Sequence, residues 1–174
     1  MIMFSPPLDL TDARILVVND DGIRAPGLKV LESIAKSFTK DVWVFAPEEE
    51  KSGAGHSLSL SNAIRVTELA PRRYAVDGSP TDCVMLAMGE YLKDKRPDLV
   101  LSGINRGGNL GDDVTYSGTV AGAMEATLLG IPAIALSQEV RGEKEQFKTT
   151  AAHACSVIER LLKFEWPSDV FMNV

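Results

Sequence analysis

Four short runs of apolar, largely β-branched residues constrain this chain most: Arg14-Ile15-Leu16-Val17-Val18-Asn19, Asp41–Pro47 (DVWVFAP), Asp98–Ser102 (DLVLS) and Pro132–Ser137 (PAIALS). Each is apolar at nearly every position instead of every second one. A strand of that kind is buried on both faces, which is the habit of a parallel sheet covered by helices. Helical patterns lie between the runs. From Pro26, the residues Leu28, Leu31, Ile34, Ala35 and Phe38 recur at spacings of three and four, so one helix face is apolar. Ser79-Pro80-Thr81-Asp82 predicts a helix start, with Ser as N-cap, Pro in the first turn and Asp three residues after the cap. That helix is expected to reach about Leu92. Ser117 caps another, ended near Leu129 by Gly130. Phe147, Ala151, Ala154, Cys155, Ile158, Leu161 and Leu162 mark a last amphipathic helix, and Val170–Val174 begins one more strand.

Strands alternating with helices predict a three-layer, Rossmann-like α/β fold with a mostly parallel sheet. A polar loop is expected over Glu48–His56, and a Gly-rich loop from Gly103 to Tyr116. Weak alternation in Ser57–Leu69 and Arg73–Val76 predicts short strands, a small β excursion beside the main sheet over about residues 57–77. Residues 1–13, with Pro6 and Pro7, read as a loose leader, and 14–174 as one domain with one core.

Charge narrows the function. Eighteen Lys and Arg against 24 Asp and Glu give a net charge of −6, which argues against binding a nucleic-acid polymer. No apolar run approaches a membrane span, and no secretory pattern precedes Arg14, so the expectation is a cytoplasmic protein away from membranes. Cys83 and Cys155 have no metal-ligand spacing and read as buried free thiols.

Ligand sites in such folds lie outside the carboxyl ends of the strands. Three polar clusters are expected there: Asn19-Asp20-Asp21-Gly22, Lys51-Ser52-Gly53-Ala54-Gly55-His56-Ser57, and Ser102-Gly103-Ile104-Asn105-Arg106-Gly107-Gly108-Asn109. Adjacent carboxylates with Ser and Asn oxygens form an all-oxygen donor set, suited to Mg²⁺ or Mn²⁺ and not to zinc. An Asp-Asp-Gly turn also serves as a simple strand end, but a turn needs only one Asp and two adjacent ones repel. Asn105, Asn109 and Ser52 also suit ordinary loops. Of the two histidines, His56 is the candidate for substrate contact, while His153 sits on the last helix. Tyr116-Ser117-Gly118-Thr119-Val120-Ala121-Gly122-Ala123 joins a Gly-rich loop to a helix start, where free amides and the helix dipole favour a phosphate. It equally reads as an N-cap on a close-packed helix. Metal charge, helix end and Arg106 together would accept a phosphate monoester, and phosphate ester hydrolysis is the simplest reaction they serve.

Five segments in order, ILVVNDDG (15–22), APEEEKSGAGHSLSL (46–60), GSPTDC (78–83), SGINRGGN (102–109) and YSGTVAGA (116–123), resemble the SurE survival-protein family. The resemblance implies a metal-dependent phosphatase acting on nucleoside 5′- and often 3′-monophosphates, with short polyphosphate as a further substrate. It implies one divalent ion per subunit, held by Asp20, Asp21, Ser52 and Asn105. Asn105, Asn109, Ser117, Gly118 and Thr119 would form the phosphate site, with His56 near it. Asp20, Asp21, Asn109 and Ser117 would be catalytic. A homodimer or tetramer is implied too. Family chains usually continue past the strand at Val170, so the C-terminal part of the family fold is expected to be missing here. Two rivals stand beside this reading. One is a nucleotide-binding regulatory domain without turnover, which has no use for an acidic pair beside a phosphate. The other is a haloacid-dehalogenase-like phosphatase, which wants an Asp-x-Asp that Asp20-Asp21-Gly22-Ile23 does not supply.

Overall fold

A computed structural model describes residues 3–140 and 147–174. Seven strands form one sheet: β1 (Arg14–Val18), β2 (Asp41–Pro47), β3 (Val66–Ala70), β4 (Arg73–Val76), β5 (Leu99–Arg106), β6 (Ala133–Gln138) and β7 (Met172–Asn173). Their order is β3-β4-β2-β1-β5-β6-β7, and only β3 is antiparallel to its neighbour. Among the described residues the α-helices are α1 (Pro26–Phe38), α2 (Pro80–Leu86), α3 (Gly118–Leu128) and α4 (Lys148–Leu161); a π-helical turn at Ala87–Tyr91 carries α2 on to Leu92, and a 3-10 turn spans Gly111–Thr115.

The uniformly apolar strands do divide their side chains between two cores. Ile15 and Val17 of β1 face a core with Leu28, Leu31 and Ile34 of α1 and Ala154 and Ile158 of α4. Leu16 and Val18 face the opposite core, with Cys83 and Val84 of α2 and Val120, Ala123 and Ala126 of α3. Period-2 alternation survives as a choice between two buried faces. The three-layer α/β expectation therefore holds. Among the described residues no helix is long and apolar enough to cross a membrane.

Four expectations need correction. First, the β excursion joins the main sheet instead of standing beside it, since β4 pairs in parallel with β2. Residues 57–65 are not strand at all. Their polar groups bond to the start of α2: the Ser59 amide and hydroxyl donate to Asp82 at 3.0 and 2.8 Å, and the Ser79 hydroxyl donates to the Ser57 carbonyl at 2.6 Å. Asp82 closes a capping box with Ser79 as well, so one carboxylate caps a helix and pins a loop. Second, β5 continues four residues beyond Ser102, through a register shift between Gly103 and Asn105. Gly103 has φ 138°, and a Cβ there would lie 2.3 Å from the Leu136 carbonyl oxygen, so only glycine lets the strand continue beside β6. Third, the leader is packed. Leu10 is buried, the Met3 and Leu8 amides donate to the carbonyls of Trp166 and Leu162, and Phe4 meets Trp166 edge-on. Fourth, Cys155 is only half-buried, unlike Cys83.

Candidate active site at the switch point

β1 sits centrally, with β2 on one side and β5 on the other. The connection to β2 runs through α1 on one face, and the connection from β5 to β6 runs through α3 on the other. Connections that diverge in this way open a crevice at the carboxyl ends of β1 and β5. Asp20 and Asp21 follow β1 there, and Asn105 lies near the end of β5.

Asp20 is almost wholly buried and packed on the first turn of α3. The Thr119 hydroxyl donates to its Oδ1 at 2.5 Å. A Cβ on Gly118 would come within 2.7 Å of the Asp20 Cβ, so glycine is what lets the helix approach. The same helix face has Gly122 against Val18 and Ser102, which is the close packing read from its small residues. Burial pushes the Asp20 carboxyl above its ordinary value, against the lowering by Thr119. Asp21 is half-buried and pushed up to about 6, first by burial, then by the charges of Asp20 and Glu50; the Arg106 amide and guanidinium pull the other way.

Loop positions follow from backbone bonds. The Lys51 amide donates to the Asp20 carbonyl at 2.8 Å and the Ile23 amide to the Pro47 carbonyl at 2.8 Å. These two bonds hold the β2–β3 loop against the Asp-Asp-Gly turn. Ser52, exposed on that loop, donates to Glu50 at 2.7 Å. Asn105 is half-buried, with its amide on the Gly107 carbonyl at 2.9 Å. Asn109 is buried and reaches the other way, donating to the Ser137 hydroxyl at 2.9 Å while its carbonyl accepts from Asn173. Ser117 is the N-cap of α3 and accepts from the Val120 amide at 3.1 Å. His56 is turned to α3, its Nε2 2.7 Å from Glu125 Oε2.

The structure thus brings Asp20, Gly118 and Thr119 into one contact and sets Asp21 beside them. Among the described residues, no side-chain hydrogen bond joins Ser52, Asn105, Asn109 or His56 to either aspartate. Thr119, expected at a phosphate, is fully buried with its hydroxyl on Asp20, so it touches the anion end through that carboxylate. Two acidic residues escaped the sequence reading. Glu50 falls in the polar loop expected over Glu48–His56, yet its charge is felt at both aspartates. Glu125 sits in an Ala-rich helix and is 9% exposed; a lone Glu in an otherwise small, apolar segment was the available signal.

The adjacent Asp20 and Asp21 carboxylates, with the Glu50 charge felt at both and Arg106 near Asp21, are oxygen donors of the kind a hard divalent cation takes. Among the described residues no three His, Cys, Asp or Glu side chains converge as a metal-holding group, so amide and hydroxyl oxygens would have to complete the shell.

Comparison with known proteins matches residues 15–174 to the family described as survival protein SurE. The chain is 59% identical over 172 residues to "5'-nucleotidase SurE" of Paramagnetospirillum magneticum, covering 98% of this chain and 66% of that protein. It is 57% identical over 164 residues to the protein of the same name in Parvibaculum lavamentivorans, covering 92% of this chain and 59% of that one. The crystal structure of the SurE protein from Aquifex aeolicus superposes with a TM-score of 0.85 at 44% identity, over 92% of this chain and 64% of that one. The chain therefore spans somewhat under two thirds of the length of these relatives.

Proposed function

The chain belongs to the survival protein SurE family, and on that premise we propose that it is a divalent-metal-dependent phosphatase of nucleoside 5′-monophosphates. The observation that carries this reading is the Asp20–Asp21 pair, set at the switch-point edge against the N-terminus of an eleven-residue helix. A cradle for a cation and an anion-favouring helix end then lie side by side, which is the arrangement a phosphate monoester needs.

In this proposal Asp20 and Asp21 hold one Mg²⁺ or Mn²⁺ per subunit, with Ser52 and Asn105 supplying oxygens. When bound, the cation supplies Lewis acidity toward a phosphoryl oxygen and offsets the carboxylate charge. Thr119 and the α3 first turn fix the Asp20 carboxylate. With the Thr119 amide on Asp20 and the Val120 amide on the Ser117 hydroxyl, the Gly118 amide is the one left to the phosphate, with Ser117 holding the cap and Asn109 the far side. Arg106 brings positive charge beside Asp21, and His56 lies near the substrate. Action on 3′-nucleotides and short polyphosphate, a homodimer or tetramer, and a cytoplasmic setting belong to the same proposal.

Phosphate release from a panel of 5′- and 3′-nucleotides, with Mn²⁺, with Mg²⁺ and with EDTA, tests it. Turnover that requires the metal and falls by orders of magnitude in Asp20→Asn is expected. Nucleotide binding without phosphate release in the wild-type protein would replace this reading with that of a regulatory binding domain.

A further inference from the structure

His56 and Glu125 lie 69 positions apart in the chain and share a 2.7 Å bond. Glu125 is in the middle of α3, with a side chain 12% exposed, whereas the imidazole is 32% exposed. A carboxylate placed that deep on an otherwise small and apolar helix requires a partner, and His56 is the one it has. The neighbouring Gly55 amide donates to the Tyr116 carbonyl at 3.0 Å, so the loop is tied to both the start and the middle of α3.

The chemistry of the bond is directional. An ionised carboxylate only accepts, so Nε2 of His56 carries the proton. The two ring nitrogens point to opposite edges of the ring, so Nδ1 is turned away from Glu125. No group of the described residues bonds it. We propose that Glu125 is a positioning residue that fixes His56 with Nε2–H inward and Nδ1, as an acceptor, presented to a hydroxyl or amino donor of the nucleoside monophosphate. This rests on the phosphatase reading above. It adds that Glu125 acts on substrate only through His56, and that the contact serves binding more than the chemical step.

The test combines ring-nitrogen NMR with a double-mutant cycle. The chain has only two histidines, so His153 is an internal control. In the wild-type protein His56 should show its proton fixed on Nε2. In Glu125→Ala it should interchange between tautomers while His153 is unmoved. KM for AMP should rise about three- to tenfold, the worth of one hydrogen bond, with kcat changing less. Glu125→Gln, whose amide oxygen still accepts from Nε2, should recover much of that loss. The double variant Glu125→Ala/His56→Ala should be no worse than His56→Ala alone, because one residue works through the other. Unchanged His56 nitrogen signals in Glu125→Ala, or losses that multiply in the double variant, overturn the proposal. If the wild-type protein releases no phosphate, the function reading fails, and the nitrogen spectra alone still decide the His56 geometry.

Discussion

Asp21→Asn should make the metal-free protein more stable and the metal-loaded protein less so. Folding lifts the Asp21 carboxyl from 3.8 to about 6. A carboxyl raised on folding adds stability that is present below the unfolded value and lost as pH rises through the folded one. The window for Asp21 is thus pH 4 to 6, and above it the charged side chain works against the fold. At about 1.4 kcal/mol per pH unit, the full shift amounts to about 3 kcal/mol; solvent screening of a part-exposed group brings this to about 1–2 kcal/mol. Asparagine has the same shape and no charge. In EDTA at pH 7.5 the variant should melt about 2–8 °C higher, given about 2–4 °C per kcal/mol at this chain length. At pH 4 the gain should vanish, because Asp21 is then largely protonated. Saturating Mn²⁺ should reverse the order, since a ligand at a hundred times its Kd adds about 2.7 kcal/mol only to the protein that binds it. Calorimetric melts at both pH values, with and without Mn²⁺, measure all of this. A variant that melts at or below the wild-type protein in EDTA at pH 7.5, or gains equally at pH 4, refutes the reasoning.

Ser117→Ala should cost about 1 kcal/mol as a lost N-cap and weaken inhibition by phosphate or vanadate; a melt shift with unchanged phosphate inhibition would confine Ser117 to capping. Gly118→Ala places a methyl where the Asp20 side chain lies, so Mn²⁺ affinity by titration calorimetry should fall at least tenfold, and an unchanged affinity would show that the α3 contact does not set Asp20. Asp82→Ala removes the capping box and the Ser59 anchor together. It should destabilise by about 1–3 kcal/mol and open residues 57–65 to protease, with Mn²⁺ affinity retained.

What the sequence made legible follows a physical line. β1 and β2 stood out because strands buried on both faces are continuously apolar, and α3 because Ser117 and Gly130 mark its ends locally. Residues 57–65 alternate as a strand would, while the partner that captures Ser59 is Asp82, 23 positions on. The length of β5 was hidden because glycine usually signals a loop, and at Gly103 it signals close approach to β6. At the site, adjacent aspartates announce themselves, since repulsion makes such a pair costly without a purpose. Glu125 does not: its role depends on a contact 69 residues away, which no local pattern encodes.

The two aspartates, adjacent in sequence, are held in opposite ways, and that difference bears on how such a site can work. Asp20 is nearly inaccessible and fixed by the Thr119 hydroxyl at the positive end of α3, so its position is set before any ligand arrives. Among the described residues, Asp21 has the Arg106 amide and charge to set against burial and two negative neighbours. One carboxylate is thereby preorganised by the fold, while the other is pushed up to about 6 by burial and its negative neighbours. A cation held by both would relieve Asp21 without having to order Asp20. In the proposed metal-dependent phosphatase the free energy that opposes two adjacent carboxylates would return as affinity for the ion, and a single variant at Asp21 should move stability and metal binding in opposite directions.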